Sequence, residues 1–150
     1  MTAENPTEAW KFAMNTTNPL VEFHWTPQPA AERLVQLWKD SGSPAEFAER
    51  VADGWIKAQA YRLQTFGTVT RLAAGGELGA ESSVTKVFWS DLDVAIHQTA
   101  LDIRGADGEL AGPWTESLLF ALGGPIYAGT NEIQRNIIAE RLLGLPREKK

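Results

Sequence analysis

Apolar positions recur every three to four residues through most of the chain, and only its first part breaks that rhythm. In residues 30–40, Leu34, Leu37 and Trp38 share one helical face before Ser41-Gly42 interrupts the pattern. Phe47, Val51, Trp55, Ala58 and Leu63 continue a second stripe toward Leu72, which Gly75-Gly76 ends, with Gly54 and Gly67 as weak points inside it. Ser43-Pro44-Ala45-Glu46 supplies the start signals of this second helix: a serine N-cap, a proline at the first helical position and a glutamate that completes a capping box. A third stripe opens at Ser82 or Ser83 and carries Val84, Val87, Phe88, Leu92, Ala95, Ile96 and Ile103 until Gly105 stops it. Residues 106–112 are rich in Asp and Gly and read as a loop, and residues 113–122 as a shorter helix opened by Pro113. Thr130 is placed to cap a last helix, in which Ile133, Ile137 and Ile138 keep helical spacing until Gly144 and Pro146 close it. No alternating strand pattern competes. The expected fold is all-α, an antiparallel, up-down-up-down four-helix-bundle-like domain over residues 30–150.

Residues 1–29 differ in composition. Pro6, Pro19, Pro27 and Pro29, with Asn15-Thr16-Thr17-Asn18, favour extended chain and turns, so this stretch reads as a connector. Trp10, Phe12, Phe23 and Trp25 give that connector apolar groups that need covering, and a surface of another domain would cover them.

Composition narrows the possible partners. A chain of 150 residues with 43% hydrophobic and 22% charged residues supports one packed core. A net charge of −5 without a local Lys/Arg cluster argues against nucleic acid. Zero cysteines exclude disulfides, thiolate metal sites and a cysteine nucleophile, and fit a reducing compartment, with the cytoplasm as the default. No apolar run approaches the ~20 residues of a membrane span, and residues 1–10 lack the pattern of a signal peptide, so a soluble protein is expected.

Chemistry is sparse by motif. The chain has no Gly-x-Gly-x-x-Gly, no phosphate loop and no histidine pair at metal-ligand spacing, so no metal site is expected. His24 and His97 read as structural or surface histidines. Ser82, Ser83, Asp91 and Asp93 lack a nucleophile elbow and an ordered partner set, and capping with solvation accounts for them.

A specific likeness lies at the C-terminal end. Ile126-Tyr127-Ala128-Gly129-Thr130-Asn131-Glu132-Ile133-Gln134-Arg135 closely resembles the signature that ends acyl-CoA dehydrogenases, aromatic-Glu-Gly-Thr-x-Glu-Ile-Gln-Arg. Ser83-Val84-Thr85-Lys86-Val87-Phe88 resembles the Ser-x-Ala-Lys-x-Phe/Leu helix of that family, and Asp102-Ile103-Arg104-Gly105-Ala106-Asp107-Gly108 its Gln-Ile-x-Gly-Gly-x-Gly turn. Ala9-Trp10-Lys11-Phe12-Ala13-Met14 is similar to the Gly-Trp-x-x-Ala-Met segment that leaves the family's middle β-domain. The likeness is thus to the family's C-terminal helical domain, without the N-terminal helical and middle β-domains.

The resemblance implies a flavin-dependent dehydrogenation of an acyl-CoA thioester. A carboxylate removes the α-proton while FAD takes a hydride from the β-carbon. The usual position of that carboxylate is Ala128 here, and a methyl group accepts no proton. Two accounts stay open: the base is Glu22, the nearest carboxylate in the connector, or the chain is a base-less domain that completes a flavin site assembled with another chain. Thr130 and Glu132 match the family's FAD contacts, while Gly105 and Gly108 match its backbone approach to the flavin of a neighbouring subunit. The expected partners are acyl-CoA in the complete enzyme and further copies of the chain, or a chain that carries the missing domains. Alone, the chain would bind FAD weakly or not at all and be inactive. The alternative is a non-catalytic, self-associating helical module.

Overall fold

The computed structural model describes residues 27–147. Trp10, Phe12, Glu22, Phe23, His24 and Trp25 lie outside the described residues. Five α-helices follow one another: α1 (Pro27–Asp40), α2 (Ala48–Ala73), α3 (Glu81–Arg104), α4 (Pro113–Ala121) and α5 (Asn131–Ile137). Tight 3-10 turns at Ala45–Phe47 and Gly105–Glu109 precede α2 and follow α3, and α5 runs on into a π turn at Ile138–Leu142. No strand occurs among the described residues, so the fold is all-α.

The helix ends show where local signals were decisive. Helix α1 begins at Pro27, inside the stretch read as connector. A proline in the first turn lacks only an N–H that would have no helical acceptor, so Pro27 and Pro29 start the helix instead of preventing it. The capping box expected at Ser43 does not form. Gly42 (φ +82°) and Ser43 (φ +57°) are both left-handed. Ser43 N–H donates to Trp38 O (3.0 Å) and Gly42 N–H to Lys39 O (3.1 Å), the bond pair of a Schellman C-cap. Ser43 therefore closes α1, and α2 starts after the 3-10 turn with no side-chain cap. Gly75 and Gly76 end α2 by the same bond pair, to Leu72 O (3.0 Å) and Arg71 O (2.9 Å). Helix α3 starts at Glu81, ahead of the serines, and Glu81 pairs with Arg71 across the turn.

Helix α3 touches each of the other four helices. Its pairing with α2 is antiparallel along their length. Arg50 bridges to Asp102 (2.7 Å), Gly54 abuts Ile96, Tyr61 stacks on Phe88 (ring centroids 6.4 Å apart), and Gln64 donates to Thr85 (3.2 Å). Each advance along α2 is matched by a retreat along α3.

The core joins Ala30, Ala31 and Leu34 of α1, Val51 and Ala58 of α2, Leu92, Ile96 and Ala100 of α3, and Trp114 of α4. Burying Leu34 or Ile96 is worth about 1.5–3 kcal/mol each. Alanines and Gly54 at the crossings let the backbones approach closely enough for these larger side chains to meet. His97 is fully buried in the same layer, donates from Nδ1 to Asp93 O (2.8 Å) and packs its ring against Trp114. It is a core histidine.

Gly54 sits in the middle of α2, where glycine costs about 1 kcal/mol relative to alanine. A Cβ there would lie 3.5 Å from Ile96 Cγ1 and 3.6 Å from Leu34 Cδ2, ordinary contact distances. Gly54→Ala should therefore stabilise the fold by about 0.5–1 kcal/mol. The larger Gly54→Val should overfill the crossing and destabilise it by roughly 1–3 kcal/mol. Urea unfolding midpoints of the two variants test the pair, and a lower midpoint for Gly54→Ala would contradict the packing described.

Candidate functional site

The turn from α4 into α5 is set by close approach. At Gly123, a Cβ would come within 3.2 Å of Phe120 O and 3.3 Å of the Tyr127 ring; at Gly124, within 3.0 Å of Ala121 O and 3.3 Å of Ser90 Cβ. The two glycines thus let the turn lie on α3 and fold back over Tyr127. The Tyr127 ring packs beside Trp89 and Phe120. Burial, then the negative charge of Asp93, pushes its phenol up to about 12, so it stays protonated at neutral pH.

Ala128 (φ +55°) and Gly129 (φ +86°) follow, both left-handed. For alanine this conformation costs on the order of 1 kcal/mol and persists because the surroundings impose it. Gln134 Nε2 donates to Ala128 O (2.8 Å), and Asn131 N–H donates to Pro125 O (2.8 Å). The brace needs glycine at 129, where a Cβ would sit 2.8 Å from Gln134 Nε2. Among the described residues the amides of Ala128, Gly129 and Thr130 have no hydrogen-bond partner. These three successive amides are thus not used within the described part of the protein.

Thr130 caps α5 as its position predicts, with Oγ1 accepting from Ile133 N–H (3.4 Å). The Glu132 carboxylate is held below its ordinary value of 4.5, first by its own backbone N–H, then by Thr130, with smaller contributions from the charges of Arg135 and Lys86. An exposed carboxylate here accepts hydrogen bonds from hydroxyl or amino groups and repels phosphate.

One functional-looking group was not legible in advance. Asn131 is 3% exposed and ties α5 to α3. Its Oδ1 accepts from Lys86 Nζ (2.7 Å) and Ser90 Oγ (3.1 Å), and its Nδ2 donates to Asp91 Oδ1 (2.8 Å). Arg135 reaches the other Asp91 oxygen (3.2 Å). The signal available in the sequence was an Asn beside a capping Thr, a position usually exposed, and nothing in it distinguished this buried case.

The sequence-derived candidates do not converge on one pocket. Gly105 and Gly108 lie at the C-terminal end of α3, whereas Thr130 and Glu132 stand near Lys86, toward its N-terminal end. About 20 residues of helix at 1.5 Å each separate the two places by roughly 25–30 Å. Gly105 (φ +56°) is exposed with open space around it, as a backbone approach to a ligand requires. Gly108 is buried, and a Cβ there would meet Leu101 O at 2.6 Å, so internal packing already demands glycine. Glu22 lies outside the described residues. Two shallow depressions between α2 and α3, of about 110 Å³ beside Arg50, Gly54 and Thr99 and about 90 Å³ beside Tyr61, Val84 and Phe88, are too small for a flavin. Among the described residues no cluster of His, Cys, Asp or Glu is arranged to hold a metal ion, and no helix is long and apolar enough to cross a membrane.

Residues 39–143 match the model of the acyl-CoA dehydrogenase C-terminal domain, and the chain belongs to the acyl-CoA dehydrogenase family. It is 36% identical over 125 residues to acyl-CoA dehydrogenase IpdE1 of Mycolicibacterium smegmatis, covering 78% of this chain and 30% of that protein. The Mycobacterium tuberculosis IpdE1 is 38% identical over 125 residues, covering 78% of this chain and 32% of the relative. An acyl-CoA dehydrogenase of Bacillus subtilis is 34% identical over 115 residues, covering 76% and 30%. The chain thus spans about a third of the length of the curated relatives it matches. Among solved structures, the Tcur3481-Tcur3483 steroid ACAD shares the fold, with a TM-score of 0.62 and 22% identity over 93% of this chain and 40% of that one.

The turn geometry makes opposite demands at two adjacent positions. Gly129→Ala should lose about 1–2 kcal/mol, since the new methyl both strains the backbone and displaces Gln134. Ala128→Gly relieves strain but loosens the unfolded chain, and should be neutral or stabilising. Thermal melts of both variants test this. Equal losses at the two positions would show that the turn is not held in this conformation.

Proposed function

We propose that this chain is the C-terminal helical part of a flavin-dependent acyl-CoA dehydrogenase acting on the α,β carbons of a thioester. In this reading it supplies part of the flavin site and a surface for oligomerisation, and it lacks the proton acceptor at position 128. The observation that carries the reading is the turn itself: open amides at Ala128, Gly129 and Thr130, with only a methyl where a carboxylate would stand.

The proposed reaction has two halves. FAD, when bound, takes the hydride from the β-carbon. In this reading the amides at 128–130, which have no partner among the described residues, would donate to the thioester carbonyl oxygen and favour the charge that develops there as the α-proton leaves. The proton itself finds no acceptor at Ala128, so the base comes from Glu22 or from the partner chain. Thr130 and Glu132 would meet hydroxyl or amino groups of the cofactor, and Gly105 would approach a neighbouring subunit's flavin through its backbone.

The flavin reading is tested by pairing this chain with the portion of the M. smegmatis relative that it does not cover. Bound-flavin absorbance and thioester oxidation are expected from the pair and not from this chain alone. Within an active pair, Ala128→Glu should raise turnover if no other base serves, since general-base catalysis is worth about 10²–10⁴-fold. If Glu22→Gln abolishes activity that Ala128→Glu does not improve, the base lies in the connector. A pair that never holds flavin would favour the non-catalytic helical module.

Association has its own support. Ile56, Leu63 and Phe66 on α2 are 64%, 69% and 54% exposed, an apolar strip on a helix whose opposite side builds the core. The chain is expected to sediment as at least a dimer at micromolar concentration, and Leu63→Asp should shift it toward monomer. A wild-type monomer throughout that range would exclude this face as an interface between copies.

A further inference from the structure

The amide of Asn131 has only one workable orientation. Its oxygen receives an ammonium and a hydroxyl, from Lys86 (2.7 Å) and Ser90 (3.1 Å), while its nitrogen faces the Asp91 carboxylate (2.8 Å). Turned over, the amide would set N–H₂ against the ammonium and oxygen against the carboxylate, so both charged neighbours enforce the same choice. Ser90 is fully buried, and Lys86, Ser90 and Asp91 all belong to α3, the helix that every other helix contacts. Asn131 is also the first residue of α5, and its backbone N–H holds Pro125 O (2.8 Å) on the other side of the turn. The side chain is thus fixed to the core helix while its backbone is fixed to the turn. On one side stand the open amides of residues 128–130, and on the other stands Glu132.

We propose that Asn131 is a positioning residue: by locking the start of α5 to α3 it sets where the 128–130 amides and the Glu132 carboxylate stand relative to thioester and flavin. The inference rests on the flavin-dependent reading above. It assigns to Asn131 a role distinct from helix capping, which Thr130 performs, and from substrate contact, because its own polar atoms are taken up inside the protein.

An exchange of partners tests it. Asn131→Asp sets two carboxylates against each other at the Asp91 contact, whereas Asp91→Asn combined with Asn131→Asp restores a donor facing an acceptor and keeps acceptors for Lys86 and Ser90. On this chain alone, hydrogen exchange of the Asn131 backbone amide position and of Ile133 should speed up by about tenfold or more in the single variant. It should return to within about threefold of wild type in the double variant, with exchange at Ile96 unchanged in both. In the pair with the remaining portion of the M. smegmatis relative, the dissociation constant for FAD should rise by about tenfold in the single variant and recover in the double. Unchanged exchange in Asn131→Asp would overturn the clamp. Faster exchange with unaltered FAD affinity would reduce Asn131 to a structural contact and overturn the positioning role. If the wild-type pair takes up no FAD, the functional reading fails instead, and the exchange rates still decide the clamp.

Discussion

Helix α3 must be covered on nearly every side, and the rest of the molecule follows from that constraint. Its buried positions run through Trp89, Leu92, Asp93, Ile96, His97 and Ala100 and also include Ser83, Ser90 and Thr99. That is more than one stripe, so one neighbouring helix cannot cover it. Helices α1 and α2 cover one part, α4 another, and the start of α5 a third. Several of the polar members find partners: Thr99 Oγ1 donates to Ala95 O (2.8 Å), His97 Nδ1 to Asp93 O (2.8 Å) and Ser90 Oγ to Asn131 Oδ1 (3.1 Å). A buried polar group facing the end of α3 that receives α5 is what makes room for Asn131.

The arrangement also explains why the site lies at the edge of the bundle. The short α5 cannot bury enough surface to stay in place by packing alone; it is seven residues long and only Asn131 in it is buried. It depends on polar ties to α3 and on the braced turn behind it. A site built this way is held at few points, each of which matters. It also leaves backbone amides exposed that a well-packed helix junction would have used internally.

Much of the fold was legible, because helical periodicity is strong from residue 30 onward and glycines mark the ends faithfully. Gly42, Gly75 and Gly144, each with positive φ, close helices where the pattern stops. The misread starts share a cause. Ser43-Pro44-Ala45-Glu46 has the letters of a capping box, but the C-cap of α1 claims the backbone of Ser43, and a residue cannot serve both ends. Ser82 spends its hydroxyl on Gly79 O while the Arg71–Glu81 pair draws the helix start forward. At the site, Thr130 was readable because capping is local chemistry. Asn131 was not, because its partners are 40 to 45 residues away in sequence. Gly108 shows the reverse: a glycine that a motif assigns to ligand approach is already required by Leu101.

The path of the 128–129 turn is fixed by Gly129, by Gln134 and by the Asn131 backbone, and the side chain at 128 takes no part in it. Half of the alanine codons lie one base from a glutamate codon. A lineage with this turn could therefore exchange a methyl for a carboxylate at position 128 by a single-nucleotide change while the architecture stays intact, so the inheritance of the fold and the chemistry of that side chain are separable here.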